Sequence, residues 1–163
     1  MLQQNLGVIL SAALVAVLLC ANALYGGKYN TVVDIGAPMP QFRNLPATDG
    51  TTLSSKDIRE DVVVLVFLAN HCPWVKGMNG DLVKLVDEFK GQSVRVIGVS
   101  VNLRQEDRLP AMKEYAARYK YNFTYVFDES GKLQHKLTGD DPNKQYTNED
   151  VEAAIQQMLS GSR

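Results

Sequence analysis

No cluster of basic residues occurs anywhere in this chain, where seventeen Lys and Arg stand against eighteen Asp and Glu for a formal net charge of −1. Nucleic acids and acidic membrane surfaces are held by a dense positive footprint, so neither is expected as a partner. Internal repeats and low-complexity linkers are lacking as well, and 163 residues leave room for one ordinary domain. Charge of either sign is missing from residues 1–27, so every charged side chain falls in residues 28–163. The chain therefore divides into an apolar leader and a globular body. Cysteine is scarce: Cys20 lies in the leader and Cys72 in the body. Without the leader, a single thiol cannot close an internal disulfide. In an oxidising compartment such a thiol is either buried and inert or present to react.

Leu6 to Ala21 is an apolar run of sixteen residues broken only by Ser11. A spanning helix needs about 20 residues, whereas sixteen suits the hydrophobic region of a secretory leader, and Ala21-Asn22-Ala23 supplies a small-x-small cleavage pattern. The expectation is an exported protein, periplasmic or extracellular. Residues 1–23 would form the leader and residues 24–163 one domain, with the mature chain starting near Leu24. Met1 to Asn5 contain no Lys or Arg, unlike the usual leader. Membrane anchoring through residues 6–21 is therefore the alternative, and lipid attachment at Cys20 is disfavoured by the bulky Leu19 before it.

In the body, Gly36 to Phe42 reads as extended because each proline restricts the residue before it. Asp49-Gly50 is a turn pair between Leu45 and Leu53, predicting a small N-terminal hairpin. Val62–Ala69 and Val94–Val101 are apolar on both faces, as strands covered on two sides are. Between them Val75, Met78, Leu82, Leu85, Val86 and Phe89 recur at helical spacing, with Pro73 suited to the first turn. Gly77 and Gly80 predict irregular first turns. This strand–helix–strand unit predicts a parallel pair. Met112, Tyr115, Ala116 and Tyr119 mark a second helix. Phe123–Phe127 and Leu133–Leu137 read as an antiparallel hairpin about Asp128–Gly131. Thr147–Asp150 opens a last helix with Val151, Ala154, Ile155, Met158 and Leu159 inward. The fold class is α/β, a mixed central sheet flanked by helices.

The string Asn70-His71-Cys72-Pro73-Trp74-Val75-Lys76 falls where the first central strand ends and the crossover helix begins. Parallel sheets place ligands at the carboxyl ends of their strands. Helix N-terminal amides and the macrodipole stabilise an anion, which favours a thiolate at Cys72. A cationic His71 or Lys76 would add to the effect. The competing reading is a structural cysteine buried at the strand end.

Gly36-x-Pro-x-Pro-x-Phe42, Asp49-Gly50, the two apolar strands and His71-Cys72-Pro73-Trp74-Val75-Lys76 together resemble the redoxin branch of the thioredoxin-fold superfamily. That branch includes peroxiredoxins of the thiol-specific antioxidant and alkyl hydroperoxide reductase C types. The resemblance covers about residues 33–160. It implies a thioredoxin-like fold, Cys72 as the attacking residue with His71, Pro73, Trp74 and Lys76 around it, and no cofactor or resident metal. The sequence departs from the family in three places. The second position of a Cys-x-x-Cys pair is Val75. Leu65 and Ala69 stand where peroxiredoxins carry a proline and a Thr or Ser. The family's Thr-Pro has no counterpart, since no proline occurs between Pro110 and Pro142.

The functional expectation is a monothiol oxidoreductase in which Cys72 attacks a disulfide or a peroxide and an external thiol resolves the product. A non-catalytic thioredoxin-like binding module is the alternative, suggested by the missing second cysteine and proline. Cu(I) handling by His71, Cys72 and His135 is a third reading.

Overall fold

The computed structural model describes residue 33, residues 36–133 and residues 148–161. The elements below belong to one compact unit drawn from Pro40–His135 and Lys144–Arg163. The leader and His135 lie outside the described residues. Among the described residues no helix is long and apolar enough to cross a membrane.

The expected N-terminal hairpin is present. Strand β1 (Leu45–Pro46) pairs antiparallel with β2 (Thr52–Leu53), Leu45 opposite Leu53. Gly50 takes φ 89 in the turn, a conformation that costs other residues a Cβ clash. The Asp49 carboxylate accepts bonds from the Thr51 amide and hydroxyl at 2.8 and 2.7 Å, which closes the loop.

Strand β3 (Val62–Phe67) leads through helix α1 (Pro73–Glu88) to β4 (Val94–Ser100), and β3 and β4 pair in parallel from Val62↔Val94 to Phe67↔Val99. Helix α2 (Leu109–Arg118) then leads to β5 (Thr124–Phe127), parallel to β4 from Ile97↔Thr124 to Ser100↔Phe127. Two crossovers in succession give the order β3-β4-β5. The hairpin joins this sheet antiparallel through a bridge between Ala47 and Val126, supported by the Thr48 amide on the Tyr125 carbonyl at 2.9 Å. That bridge gives the sheet its mixed character.

Successive strand residues face opposite sides. Val62 and Val64 pack with Leu85 and Phe89 of α1 and with Ile155 of helix α3 (Asn148–Gly161). Further along β3, Val66 and then Leu68 pack with Val75 and Leu82 of α1, Met112 of α2 and Tyr125 of β5. Of the two strands expected to be covered on both faces, only β4 is: Val96 to Ser100 are all buried, whereas Val63 to Phe67 are half-buried. The reason is position: among the described residues β4 has a strand on either side, whereas β3 pairs with β4 alone.

Three local expectations are corrected. Helix α1 runs unbroken from Pro73 despite Gly77 and Gly80, because Val75, Leu82 and Leu85 on its inner face are buried. On α3 the buried stripe is narrower than expected, with Ala154 and Met158 exposed. The third concerns the hairpin expected over Phe123–Leu137. Its first strand exists, but as β5 it is parallel to β4, and Lys132 and Leu133 are helical rather than a returning strand. The Asp128 carboxylate explains this: it accepts from the Leu133 amide at 2.9 Å and from the Ser130 hydroxyl at 2.6 Å, capping a helical turn. Residues 134–137 lie outside the described residues.

Candidate active site

The carboxyl end of β3 delivers Leu68 into the core, and the chain then turns sharply. The Cys72 amide bonds to the Ala69 carbonyl at 3.0 Å, and Cys72 itself is the N-cap of α1 with extended φ −70 and ψ 123. Its side chain makes no capping hydrogen bond. The thiol therefore stands at the amino end of a 16-residue helix, where unpaired amides and the helix dipole favour an anion. Cys72 is half-buried and free, packed against the cluster of Val75, Met112 and Tyr125.

The other residues expected at the site separate into two groups. Pro73 occupies the first helical turn, and Trp74 projects outward with 75% of its surface exposed. Lys76 is exposed too, and its amide makes the first helical bond, 3.1 Å to the Cys72 carbonyl. All three are exposed to solvent. His71 turns inward instead. Its Nδ1 lies 2.5 Å from Oδ2 of Asp107, a carboxylate with no solvent exposure, and its backbone N–H donates to Oδ1 at 3.3 Å. Val75, standing where a second cysteine would be, is buried in the core.

Asp107 was not among the residues expected from sequence. It comes from the short turn Gln105–Asp107 after β4, and nothing in the local pattern Arg104-Gln-Glu-Asp-Arg108 distinguishes it from a surface acid. The turn is fixed by side chains of two elements. The Ser100 hydroxyl at the end of β4 donates to the Asp107 carbonyl at 3.0 Å, and the Asn70 amide donates to the Glu106 carbonyl at 2.7 Å. Asn70 in turn accepts from the Tyr125 hydroxyl at 3.0 Å.

A second polar group lies behind the thiol. Asn79 is buried on the inner face of α1, donates to the Tyr115 hydroxyl at 2.8 Å and accepts from the Tyr121 hydroxyl at 2.5 Å. The rings of Tyr115, Tyr119, Tyr121, Phe123 and Tyr125 form a continuous chain of contacts there. Burial pushes the Tyr115 hydroxyl above the ordinary phenol range and the Tyr121 and Tyr125 hydroxyls well above it, so all three stay protonated and able to donate. The sequence signal for Asn79 was present though unread: a polar residue at helical spacing within the apolar stripe Val75, Met78, Leu82. Among the described residues no group of three His, Cys, Asp or Glu side chains is arranged to hold a metal ion.

The AhpC/TSA family model matches residues 35–153. No curated protein matches significantly. Among solved structures, an uncharacterised conserved protein from Geobacillus kaustophilus is 23% identical, with a TM-score of 0.66 over 77% of this chain and 82% of that one. A secreted Mycobacterium tuberculosis disulfide oxidoreductase homologous to E. coli DsbE is 14% identical, with a TM-score of 0.56 over 73% of this chain and 96% of that one. A thiol:disulfide interchange protein of the thioredoxin family from Chlorobium tepidum is 16% identical, with a TM-score of 0.62 over 76% and 96%. These likenesses show a thioredoxin-like fold.

Proposed function

Because the chain belongs to the AhpC/TSA family, we propose that it is a thiol oxidoreductase in which Cys72 performs thiol–disulfide exchange. One observation carries the proposal: the body's single cysteine is the free, half-buried N-cap of α1, at the carboxyl end of a parallel sheet. The Cys72 thiolate attacks one sulfur of a substrate disulfide. A bond forms between Cys72 and that sulfur, the substrate S–S bond breaks, and the departing thiolate takes a proton. With Val75 in place of a second cysteine, resolution falls to an external thiol. Its thiolate attacks the mixed disulfide, frees Cys72 and leaves a new disulfide between reductant and substrate. The exposed Trp74, two residues on from Cys72, offers an apolar surface to a substrate.

Two of the compared structures are described as disulfide oxidoreductase or thiol:disulfide interchange proteins, which supports this reading over peroxide reduction. Leu65 and Ala69, apolar where the peroxiredoxin pattern has a proline and a hydroxyl residue, point the same way. The secreted relative and the apolar leader support export. The binding-module and Cu(I) readings make opposite demands on the thiol.

Cys72→Ser is expected to reduce thiol-supported insulin-disulfide turnover to background while circular dichroism stays unchanged. Val75→Cys, three residues on, should supply an internal resolving thiol and raise that turnover. Hydroperoxide consumption without disulfide turnover would move the assignment to peroxide chemistry. If Cys72 alkylates only on unfolding, or Cys72→Ser leaves turnover intact, the enzyme reading fails and the binding module replaces it. Tight Cu(I) binding lost in Cys72→Ala would favour the metal reading.

A further inference from the structure

A carboxylate removed from water costs several kcal/mol unless it is paired. Asp107 is wholly buried, and both of its oxygens are directed at one residue, Oδ1 toward the His71 backbone N–H and Oδ2 toward the His71 ring. It cannot swing away. Its own carbonyl holds the Ser100 hydroxyl at 3.0 Å, its amide donates to the Arg104 carbonyl at 3.0 Å, and the neighbouring Glu106 carbonyl holds Asn70 at 2.7 Å. Three bonds thus fasten a buried negative charge behind the histidine that directly precedes the thiol. An amide side chain would offer one acceptor oxygen where the carboxylate offers two, so only the carboxylate accepts from both His71 donors at separate atoms.

We propose that Asp107 is the positioning residue of this thiol site, accepting from Nδ1–H and the backbone N–H of His71 so that the ring is held where it stabilises the Cys72 thiolate. The proposal rests on Cys72 being the nucleophile. Among the described residues, besides His71, the titratable groups that sense the Asp107 charge are Tyr115 of α2 and Tyr125 of β5. Burial keeps both phenols neutral near neutral pH, so neither sets a second charge against Asp107. Glu106 and Arg108, on either side of Asp107 in the chain, are exposed to solvent.

The test is the rate of Cys72 alkylation by iodoacetamide against pH in the folded full-length chain. Wild type is compared with Asp107→Asn, His71→Gln and the double variant. At about pH 7, Asp107→Asn should alkylate roughly tenfold more slowly. The two rates should converge at alkaline pH, where the thiol is ionised in both. His71→Gln should be slower still, because it leaves a buried carboxylate without its partner. The double variant should recover the rate of Asp107→Asn alone, the non-additivity expected of residues acting as a unit. A folded Asp107→Asn with the wild-type profile, or slowed equally at every pH, overturns the proposal. If Asp107→Asn does not fold, the His71 ring nitrogens of the wild type decide. Their NMR shifts should report a protonated Nδ1 near neutral pH, and an unprotonated Nδ1 overturns the proposal. Insulin-disulfide turnover is a separate readout. Its absence in wild type sinks the oxidoreductase reading while the alkylation profiles still judge Asp107; a Cys72 that alkylates in no native variant sinks both.

Discussion

Gly98 shows how closely single residues are fitted around the site. A Cβ added there would meet the rings of Phe123 and Tyr125 at 2.9 Å each and a Leu68 methyl at 3.0 Å. The absent side chain lets Tyr125 lie against β4 with its hydroxyl on Asn70, the residue that fastens the Glu106 turn to the site. Overpacking of a tight core costs about 1–3 kcal/mol, so Gly98→Ala is expected to lose stability in that range in a urea titration. It should also lower Cys72 reactivity by displacing Asn70. An unchanged midpoint would mean that the rings move aside freely. The sequence marks a glycine within a strand as a site of close approach, but which ring approaches is decided by β5, whose neighbour only the fold reveals.

At the scale of elements, helices α1 and α3 meet along the side of Val62, Leu85, Phe89 and Ile155. Their contact brings like charges together. Partial desolvation and the Glu88 carboxylate, with Glu149 adding to them, hold the Glu152 carboxyl above the usual carboxylate range. A carboxyl whose folded pKa lies above its unfolded one binds more protons when folded, so it subtracts from stability as pH rises through the unfolded value. Below both values the effect vanishes. Glu152→Gln is therefore expected to raise Tm near neutral pH and to leave it unchanged at about pH 3, as scanning calorimetry at the two pH values would register. A drop at neutral pH would indicate that Glu152 serves the helix in some other way. The helices and most of their inner residues, Ala154 and Met158 of α3 excepted, were legible because a 3.6-residue period can be read from one segment alone. The direction of β5 was not, since Asp128-Glu-Ser-Gly131 suits a hairpin turn as well as a capped helical turn, and the Asp128–Leu133 bond selects the second.

For the molecule as a whole, the apolar leader carries a prediction independent of the site. The exported protein is expected to begin at or near Leu24, which terminal sequencing of the periplasmic or secreted fraction would establish. A retained Met1 with membrane association would assign residues 6–21 as an anchor. By itself the sequence determined the first hairpin about Asp49-Gly50, the parallel pairing of β3 with β4 through α1, and the position of Cys72 at their junction. Each follows from local pattern: turn chemistry, strand and helix periods, and the right-handed crossover that joins them. It took the three-dimensional structure to show that among the described strands β4 lies between β3 and β5, that β5 runs parallel to it, and that Asp107, thirty-six residues beyond His71, lies against that histidine. Those facts depend on which strand ends and loops the sheet gathers at one edge, and spacing along a single chain does not encode proximity across it.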